Sequence, residues 1–110
     1  MSTTGKYMYG VISTESQQNF GDTGLQKQPV SVVVKNGLAI VVSDIVFDGE
    51  AVVTGTRRNM LAHQKTIEQV MASFTIAPFS FGTVASNEQE VMALLENRNR
   101  ELSHILQSIE

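Results

Sequence analysis

The chain has 110 residues, a mass of 12.0 kDa and a formal net charge of −3, and it is 42% hydrophobic and 17% charged. This length suits one domain, and this balance of apolar and charged residues is typical of a folded globular protein. A negative net charge supplies no basic field that would attract nucleic acid or an anionic membrane, so neither is expected as a partner. The chain has no cysteine and two histidines, too few for a three-histidine zinc site, so we expect no metal or other cofactor.

No targeting or membrane-spanning segment is visible. The N-terminus lacks the apolar run of a signal peptide, and no stretch approaches the roughly 20 apolar residues that a membrane span needs. We therefore expect a soluble cytoplasmic domain.

The first predicted element is a strand over residues 6–13, KYMYGVIS. Strict alternation places Tyr7, Tyr9 and Val11 on one face of this strand. The polar stretch 14–29 follows and predicts a long loop, which is uncommon in a compact domain and often functional.

Residues 30–45 contain the clearest local pattern in the chain. Two β-branched runs flank Asn36-Gly37, a pair that accepts the positive φ angles of a type I′ turn. The pattern predicts a tight hairpin with Lys35 opposite Leu38. Both strands are apolar at nearly every position, which indicates central strands, either covered on both faces or with one face awaiting a partner.

Residues 56–74 have the apolar spacing of a helix, with Thr56 as the predicted N-cap. One face of this helix is predicted to carry Met60, His63, Ile67, Val70, Met71 and Phe74. On that face His63 is expected to be a buried structural histidine, because no second histidine follows four residues later to complete a metal site.

The last third of the chain predicts a strand over residues 77–84 and then a helix to the chain end. A capping box at Ser86 and Gln89 starts this helix. Glu88 and Glu90 in its first turn would repel an anion, so an ordinary capped helix is favoured over a phosphate site. The apolar stripe of the helix is predicted to contain Val91, Leu94, Leu95, Arg98, Leu102, Ile105, Leu106 and Ile109.

The predicted order of elements is β-ββ-α-β-α, which indicates an α+β domain over residues 1–110. We expect a mainly antiparallel four-stranded sheet with two helices packed on it. The sequence contains no Gly-rich phosphate loop, no nucleophile elbow and no zincin pattern. Because these catalytic motifs are absent from the sequence, we predict that the protein is not an enzyme.

Two segments carry a further pattern, LAH at residues 61–63 and PFSFGTV at residues 78–84. They resemble the gas vesicle GvpL/GvpF family, whose members have a Leu-Leu-Ala-His helix followed by a Pro-x-Arg-Phe-Gly-Thr-Val strand and a Leu-patterned helix with a Glu-rich start. Ser80 stands where the family usually has Arg, and Gln64 replaces an acidic residue. The matching positions are Leu61, Ala62, His63, Pro78, Phe81, Gly82, Thr83 and Val84.

The resemblance implies a non-enzymatic accessory protein of gas vesicle assembly that acts in the cytoplasm and at the gas vesicle. Its implied partners are the hydrophobic shell protein and other gas vesicle proteins. Because family members are about twice as long, the resemblance covers their N-terminal half. It also places Gly82 in a core strand, where we expect close backbone approach. The alternative is a small ligand-binding or enzymatic α+β domain that uses the 14–29 loop as a lid.

The predicted last helix is longer than the sheet that could cover it. Strands of five or six residues span about 17–20 Å, which covers this helix only as far as Leu102. We therefore expect an exposed apolar patch that binds a partner or self-associates, formed by Ile105, Leu106 and Ile109. Arg98 interrupts the stripe, and it is expected to reach solvent or to pair with a carboxylate of a partner.

Overall fold

The computed structural model describes residues 2–48 and 53–109. It confirms the α+β class, with five strands and three α-helices among these residues where the sequence predicted four strands and two helices. Among these residues, none of the helices could span a lipid bilayer. The strands and α-helices are β1 (Ser2–Ser13), β2 (Val30–Lys35), β3 (Leu38–Asp48), α1 (Arg57–Met71), β4 (Ala77–Pro78), β5 (Val84–Ala85), α2 (Glu88–Asn97) and α3 (Asn99–Ile109). The predicted 14–29 loop contains a short 3-10 helix at Leu25–Lys27.

The sheet is antiparallel throughout and has the order β2-β3-β1-β4, with β5 also paired to β1. The central strands β1 and β3 have 12 and 11 residues, so the sheet is much longer than the sequence estimate assumed. β2 lies at the edge and not at the centre. Loop residues cover part of that edge, because Val30 accepts the N–H of Phe20 at 2.8 Å and donates its own N–H to the carbonyl of Gly21 at 2.8 Å.

The predicted hairpin between β2 and β3 is confirmed. Lys35 pairs with Leu38, and Asn36 and Gly37 have φ angles of 54° and 81°, as a type I′ turn requires. Valines from β2 enter the core on both sides of the sheet. The hairpin therefore presents no free apolar face to a partner.

A β-bulge in β1 makes the predicted alternation wrong. The pairing register with β3 shifts between Met8 and Gly10, which leaves Tyr9 as the extra residue. One extra residue reverses the faces of everything that follows it. Val11 consequently packs on the opposite side of the sheet from Tyr7 and Tyr9, where the sequence had placed all three together.

Helix α1 begins as predicted, because Thr56 Oγ1 accepts the N–H of Asn59 at 3.2 Å. Its buried side is narrower than expected. Met60 and Met71, predicted for the apolar face, are 53% and 61% exposed. The 14–29 loop packs along one side of α1 through hydrogen bonds. The buried residues of α1 are His63, Thr66 and Val70, and Ile67 and Phe74 are partly buried against the same core, as predicted.

Residues 77–85 do not form one strand. β4 and β5 have two residues each and are separated by a turn at Phe81-Gly82, opposite the bulge in β1. Gly82 has a φ of +89°, and a β-carbon at this position would have no atom within 4 Å. The positive φ favours glycine at this turn, so the expectations of a core strand and of close approach at Gly82 were both wrong.

The last helix starts one residue later than predicted. Asn87 is its N-cap in place of Ser86, because Asn87 Oδ1 accepts the N–H of Glu90 at 2.9 Å. An Asn side chain satisfies the free N–H groups of a first turn as well as Ser does.

A break at Arg98, with φ −119° and ψ 21°, divides the predicted single helix into α2 and α3. Two contacts join the break to the β2–β3 turn. Lys35 Nζ lies 3.3 Å from Glu96 Oε1, and Asn99 Nδ2 donates to the carbonyl of Asn36 at 3.3 Å. α2 packs on β2, β3 and β5, whereas α3 packs on β1 and β4.

Both faces of the sheet are therefore covered. The α1 face is closed by α1 and the 14–29 loop, which contributes the buried residues Phe20 and Leu25. The α2–α3 face is closed by two helices whose buried residues are Val91, Leu95, Leu102 and Leu106.

Candidate partner-binding surfaces

The two motif segments meet at Tyr7. His63 from α1 and Phe81 from the β4–β5 turn lie edge to face with ring centroids 5.6 Å apart. Tyr7 Oη accepts the N–H of Gly82 at 3.0 Å and lies 2.8 Å from His63 Nδ1. One hydroxyl group thus joins β1 to both motif segments.

Burial determines the charge state of this cluster. It lowers the pKa of His63 below 6.5, and a backbone hydrogen bond with Phe79 acts in the opposite direction. Burial also raises the pKa of Tyr7 to about 12, although the hydrogen bond from Gly82 lowers it. Both side chains are therefore uncharged near neutral pH. The predicted burial of His63 is confirmed, and within the described ranges no three His, Asp or Glu side chains are grouped to hold a metal ion.

The remaining motif residues lie outside the cluster of Tyr7, His63 and Phe81. Ala62 packs against the core, whereas Leu61 beside it is 46% exposed. Pro78 is exposed in β4. Thr83 Oγ1 donates to the carbonyl of Ser80 at 2.7 Å and so closes the β4–β5 turn.

The 14–29 loop is anchored to three other elements. Leu25 donates its N–H to Tyr9 Oη at 3.0 Å, and the same hydroxyl lies 2.7 Å from Ser43 Oγ. Gln69 Nε2 of α1 donates to the carbonyl of Phe20 at 2.7 Å. Because opening this loop would break buried and partly buried hydrogen bonds, the geometry does not favour its use as a lid.

Arg98 and Ile105, both predicted as partner-binding residues, lie in the same groove. The groove has a volume of about 470 Å³ and runs between the β4–β5 turn and the α2–α3 pair. Ile105 is 41% exposed, and Ile109, one turn further along α3, is 51% exposed. The groove is lined by Phe79, Ser80, Thr83, Leu94, Arg98, Glu101, Leu102 and Ile105.

Leu106 does not belong to this exposed surface, contrary to the sequence prediction. It is 4% exposed and packs with Leu102 in the core of the α2–α3 face. The cause is the length of the sheet, because β1 has 12 residues and α3 lies along it beyond Leu102. We call the two remaining exposed residues, Ile105 and Ile109, the α3 patch.

Arg98 pairs with a carboxylate of its own chain. Its Nε donates to Glu101 Oε2 at 2.6 Å, and both side chains are more than half exposed. The pair raises the pKa of Arg98 and lowers that of Glu101. An ion pair in solvent contributes little to stability, so a carboxylate of a partner can replace Glu101 at low cost. Ser80, where the family usually has Arg, lines the same groove.

A second surface was not predicted from the sequence. A groove of about 820 Å³ runs between α1 and residues 22–27. It includes four of the chain's cationic residues, Lys27, Arg57, Arg58 and Lys65. The paired arginines and a lysine seven residues later were a visible signal on one helix, but Lys27 comes from a distant part of the sequence.

Comparison with known proteins identifies relatives. A sequence model described as gas vesicle synthesis protein GvpL/GvpF matches residues 5–110. Gas vesicle protein F of Streptomyces sp. (strain CB03234) is 27% identical over 107 residues, which cover 94% of this chain and 43% of that protein. Gas vesicle protein F of Dolichospermum flosaquae is 29% identical over 106 residues, covering 94% and 42%.

Two crystal structures share the fold. GvpF from Anabaena sp. PCC7120 superimposes with a TM-score of 0.76 and 29% identity, covering 96% of this chain and 43% of that one. GvpF from Microcystis aeruginosa gives a TM-score of 0.74 over 94% of this chain and 43% of that one, and its 24% identity supports the fold alone. The chain thus spans less than half the length of these relatives. With the family model matching nearly every residue, the chain belongs to the gas vesicle GvpL/GvpF family.

Proposed function

We propose that this domain is a non-enzymatic accessory protein of gas vesicle assembly that binds the hydrophobic shell protein and other gas vesicle proteins. Family membership supports the gas vesicle role. The observation that supports binding is the α3 patch, where Ile105 and Ile109 are 41% and 51% exposed. Action in the cytoplasm and at the gas vesicle is part of the same proposal.

The groove beside the α3 patch suits an apolar partner with some polar character. Leu94, Leu102 and Phe79 provide apolar walls next to Ile105, and the Arg98–Glu101 pair lies along the same groove. Protein interfaces commonly combine an apolar centre with a polar rim. An apolar segment of the shell protein would bury its side chains against Ile105 and form hydrogen bonds with the Arg98–Glu101 pair.

The expected contribution of the patch follows from its exposed area. Complete burial of an isoleucine side chain is worth about 1.5–3 kcal/mol, and each of these two is already about half covered. Loss of both would therefore weaken binding roughly ten- to a hundredfold, since 1.4 kcal/mol corresponds to a factor of ten.

The test is the double variant Ile105→Glu with Ile109→Glu. Its binding to purified shell protein is measured in a pull-down, and its self-association by sedimentation. A matched control is His104→Glu with Gln107→Glu, which adds two carboxylates at exposed positions of the same helix. We expect the first variant to lose binding and the control to retain it.

Circular dichroism must show that both double variants are folded. If the Ile105 and Ile109 variant is folded and still binds and associates like the wild type, the α3 patch has no role in binding. If both double variants lose binding equally, the effect is due to charge and not to the isoleucines.

A further inference from the structure

The groove between α1 and residues 22–27 concentrates positive charge on an acidic protein. The chain carries a net charge of −3 with 8 Lys and Arg residues. Four of these cations line this one groove of about 820 Å³, together with the single carboxylate of Asp22 among the described residues. We define the basic groove by these cations: Lys27, Arg57, Arg58 and Lys65.

Three of the other four cations of the chain form ion pairs, and within residues 2–48 and 53–109 the cations of the basic groove do not. The three paired cations are Lys6, Lys35 and Arg98, each of which contacts a carboxylate. Asp22 is the one carboxylate among the described lining residues, so the groove keeps a net positive charge that acts on whatever enters it.

The cations of α1 are arranged along the groove. Arg57, Leu61 and Lys65 follow one another at four-residue intervals, which places them in one row on the helix surface. At 1.5 Å per residue this row is about 12 Å long, which matches three to four residues of an extended peptide. Lys27 belongs to the opposite wall of the groove.

The placement of Arg57 and Arg58 is unfavourable for the isolated helix. They occupy the first turn of α1, which contains no acidic residue. The positive end of the helix dipole repels cations at this position. A carboxylate from a partner would be attracted by both arginines and by the dipole, and it would relieve this repulsion.

The opposite wall has a strained backbone. Gln26 and Lys27 have φ angles of 58° and 59°, which residues other than glycine seldom adopt. The side chain of Gln26 holds this conformation with two hydrogen bonds to the backbone of Val46, each 2.9 Å long. Strain of this kind is concentrated in segments that clamp ligands, and here it positions Lys27 at the groove.

The groove also offers an apolar contact. Leu61 is 46% exposed and lines both the basic groove and a shallow extension that contains Met60, itself 53% exposed. No aromatic side chain is among the described residues that line the groove, so it lacks the aromatic platform on which bases of single-stranded nucleic acid commonly stack. Exposed Leu and Met beside cations suit a peptide that has both carboxylates and apolar side chains.

We propose that the basic groove binds an acidic segment of a partner protein. Carboxylates of the segment lie against Arg57, Arg58 and Lys65, and an apolar side chain of the segment packs on Leu61. The groove is on the opposite side of the sheet from the α3 patch. The proposal does not rest on shell-protein binding, and either surface can fail its test without affecting the other.

The test measures binding of a fluorescently labelled synthetic peptide of Glu and Leu residues by fluorescence anisotropy at physiological ionic strength. The control peptide has Gln in place of Glu. Arg58→Glu is expected to weaken binding of the acidic peptide by about tenfold or more, because it replaces attraction by repulsion. Glu in a first helical turn is favourable, so this variant is expected to remain folded. Its matched control, Arg100→Glu, changes an exposed cation of α3 outside the groove and should bind within about twofold of the wild type.

A second pair of variants tests the apolar contact. Leu61→Gln should weaken peptide binding several-fold, whereas Met71→Gln, at an exposed position of α1 outside the groove, should not. Together these results would place the peptide on the α1 surface and would separate groove binding from attraction to any cation.

Four results would overturn the proposal. One is equal loss of binding in Arg58→Glu and Arg100→Glu, and another is equal affinity for the Glu and Gln peptides. A third is tighter binding of single-stranded DNA of equal charge with the same dependence on Arg58, which would identify a nucleic acid site. The fourth is a wild-type dimer that Arg58→Glu converts to a monomer, which would make a second copy of this chain the occupant.

Discussion

The two faces of the sheet are built from different chemistry. The α1 face buries hydroxyl groups and an imidazole together with its apolar residues, and these polar side chains are Tyr7, Tyr9, Ser43, His63 and Thr66. The α2–α3 face is apolar throughout, with a buried core of Met8, Val11, Val33, Leu38, Ile40, Val42, Ala77, Ala85, Val91, Leu95, Leu102 and Leu106. The strands β1, β2 and β3 each contribute buried residues to both faces.

This difference shows how each face holds its helices in position. No buried side-chain nitrogen or oxygen in the described residues lacks a hydrogen-bond partner, so the polar groups of the α1 face are fully satisfied. Hydrogen bonds have direction and therefore fix how α1 and the 14–29 loop sit on β1. The α2–α3 face depends on the volume and fit of its side chains. The two faces should consequently respond to different substitutions.

The largest effect is expected on the α2–α3 face from Leu95→Ala. Leu95 is fully buried in α2, so truncation removes its contacts and leaves a cavity. The free energy of unfolding should fall by about 2–5 kcal/mol, measured by urea denaturation. Leu61→Ala, at a 46% exposed position, is the matched control and should cost clearly less. Equal losses in the two variants would contradict the assigned burial.

On the α1 face, the substitution Tyr7→Phe keeps the aromatic ring and removes only the hydroxyl. The N–H of Gly82 and Nδ1 of His63 would then lose their partner. The free energy of unfolding should fall by about 1–3 kcal/mol, since buried polar groups left unpaired are costly. Ser13→Ala removes an exposed hydroxyl and is expected to stay within about 0.5 kcal/mol of the wild type. An unchanged stability of Tyr7→Phe would show that this hydrogen-bond network is dispensable.

A smaller effect is expected at the β4–β5 turn. Gly82→Ala should lower the free energy of unfolding by about 1 kcal/mol, because φ is +89° and an alanine is strained there. Gly82→Asn should cost less, since asparagine tolerates positive φ. Gly55→Ala is the control, because a β-carbon there also meets no atom within 4 Å and its φ is not positive. Equal effects at both glycines would reject the conformational explanation.

The smallest effect is a dependence of the free energy of unfolding on pH, caused by His63 on the α1 face. Burial lowers the pKa of His63 below the value of 6.5 expected for the unfolded chain, so the unfolded chain binds the proton more tightly. Stability that is present above pH 6.5 is therefore lost as the pH falls below it. His63→Gln removes this titration while leaving the carboxylates unchanged. The difference in unfolding free energy between wild type and His63→Gln should shrink on acidification, measured by urea denaturation at several pH values, and parallel curves would contradict the burial effect.

Features encoded in adjacent residues were predicted correctly. The turn at Asn36-Gly37 and the N-cap at Thr56 follow from the conformational preferences of these residues and from one side-chain hydrogen bond. Such preferences act within three or four residues, so they can be recognised without knowing the rest of the fold. The α+β class follows from the sum of these local patterns, and the motif segments led to the family.

The candidate surfaces were predicted only in part. Exposure of Ile105 and Ile109 was expected from the length of the last helix, and both are exposed. Leu106 was assigned to the same surface, but it is buried because the central strands are twice as long as typical strands. The basic groove was not predicted, since Lys27 reaches α1 only through a loop that folds back on it.

Long-range contacts account for the remaining differences. The bulge at Tyr9 depends on how β1 pairs with β3, and it reverses the side on which Val11 is buried. The break at Arg98 lies where the β2–β3 turn contacts Glu96 and Asn99. Burial is a property of what covers a residue, and here the covering groups lie tens of residues away in the chain. A local pattern can state that a side chain is apolar, but the packed elements determine which apolar side chains remain exposed for a partner.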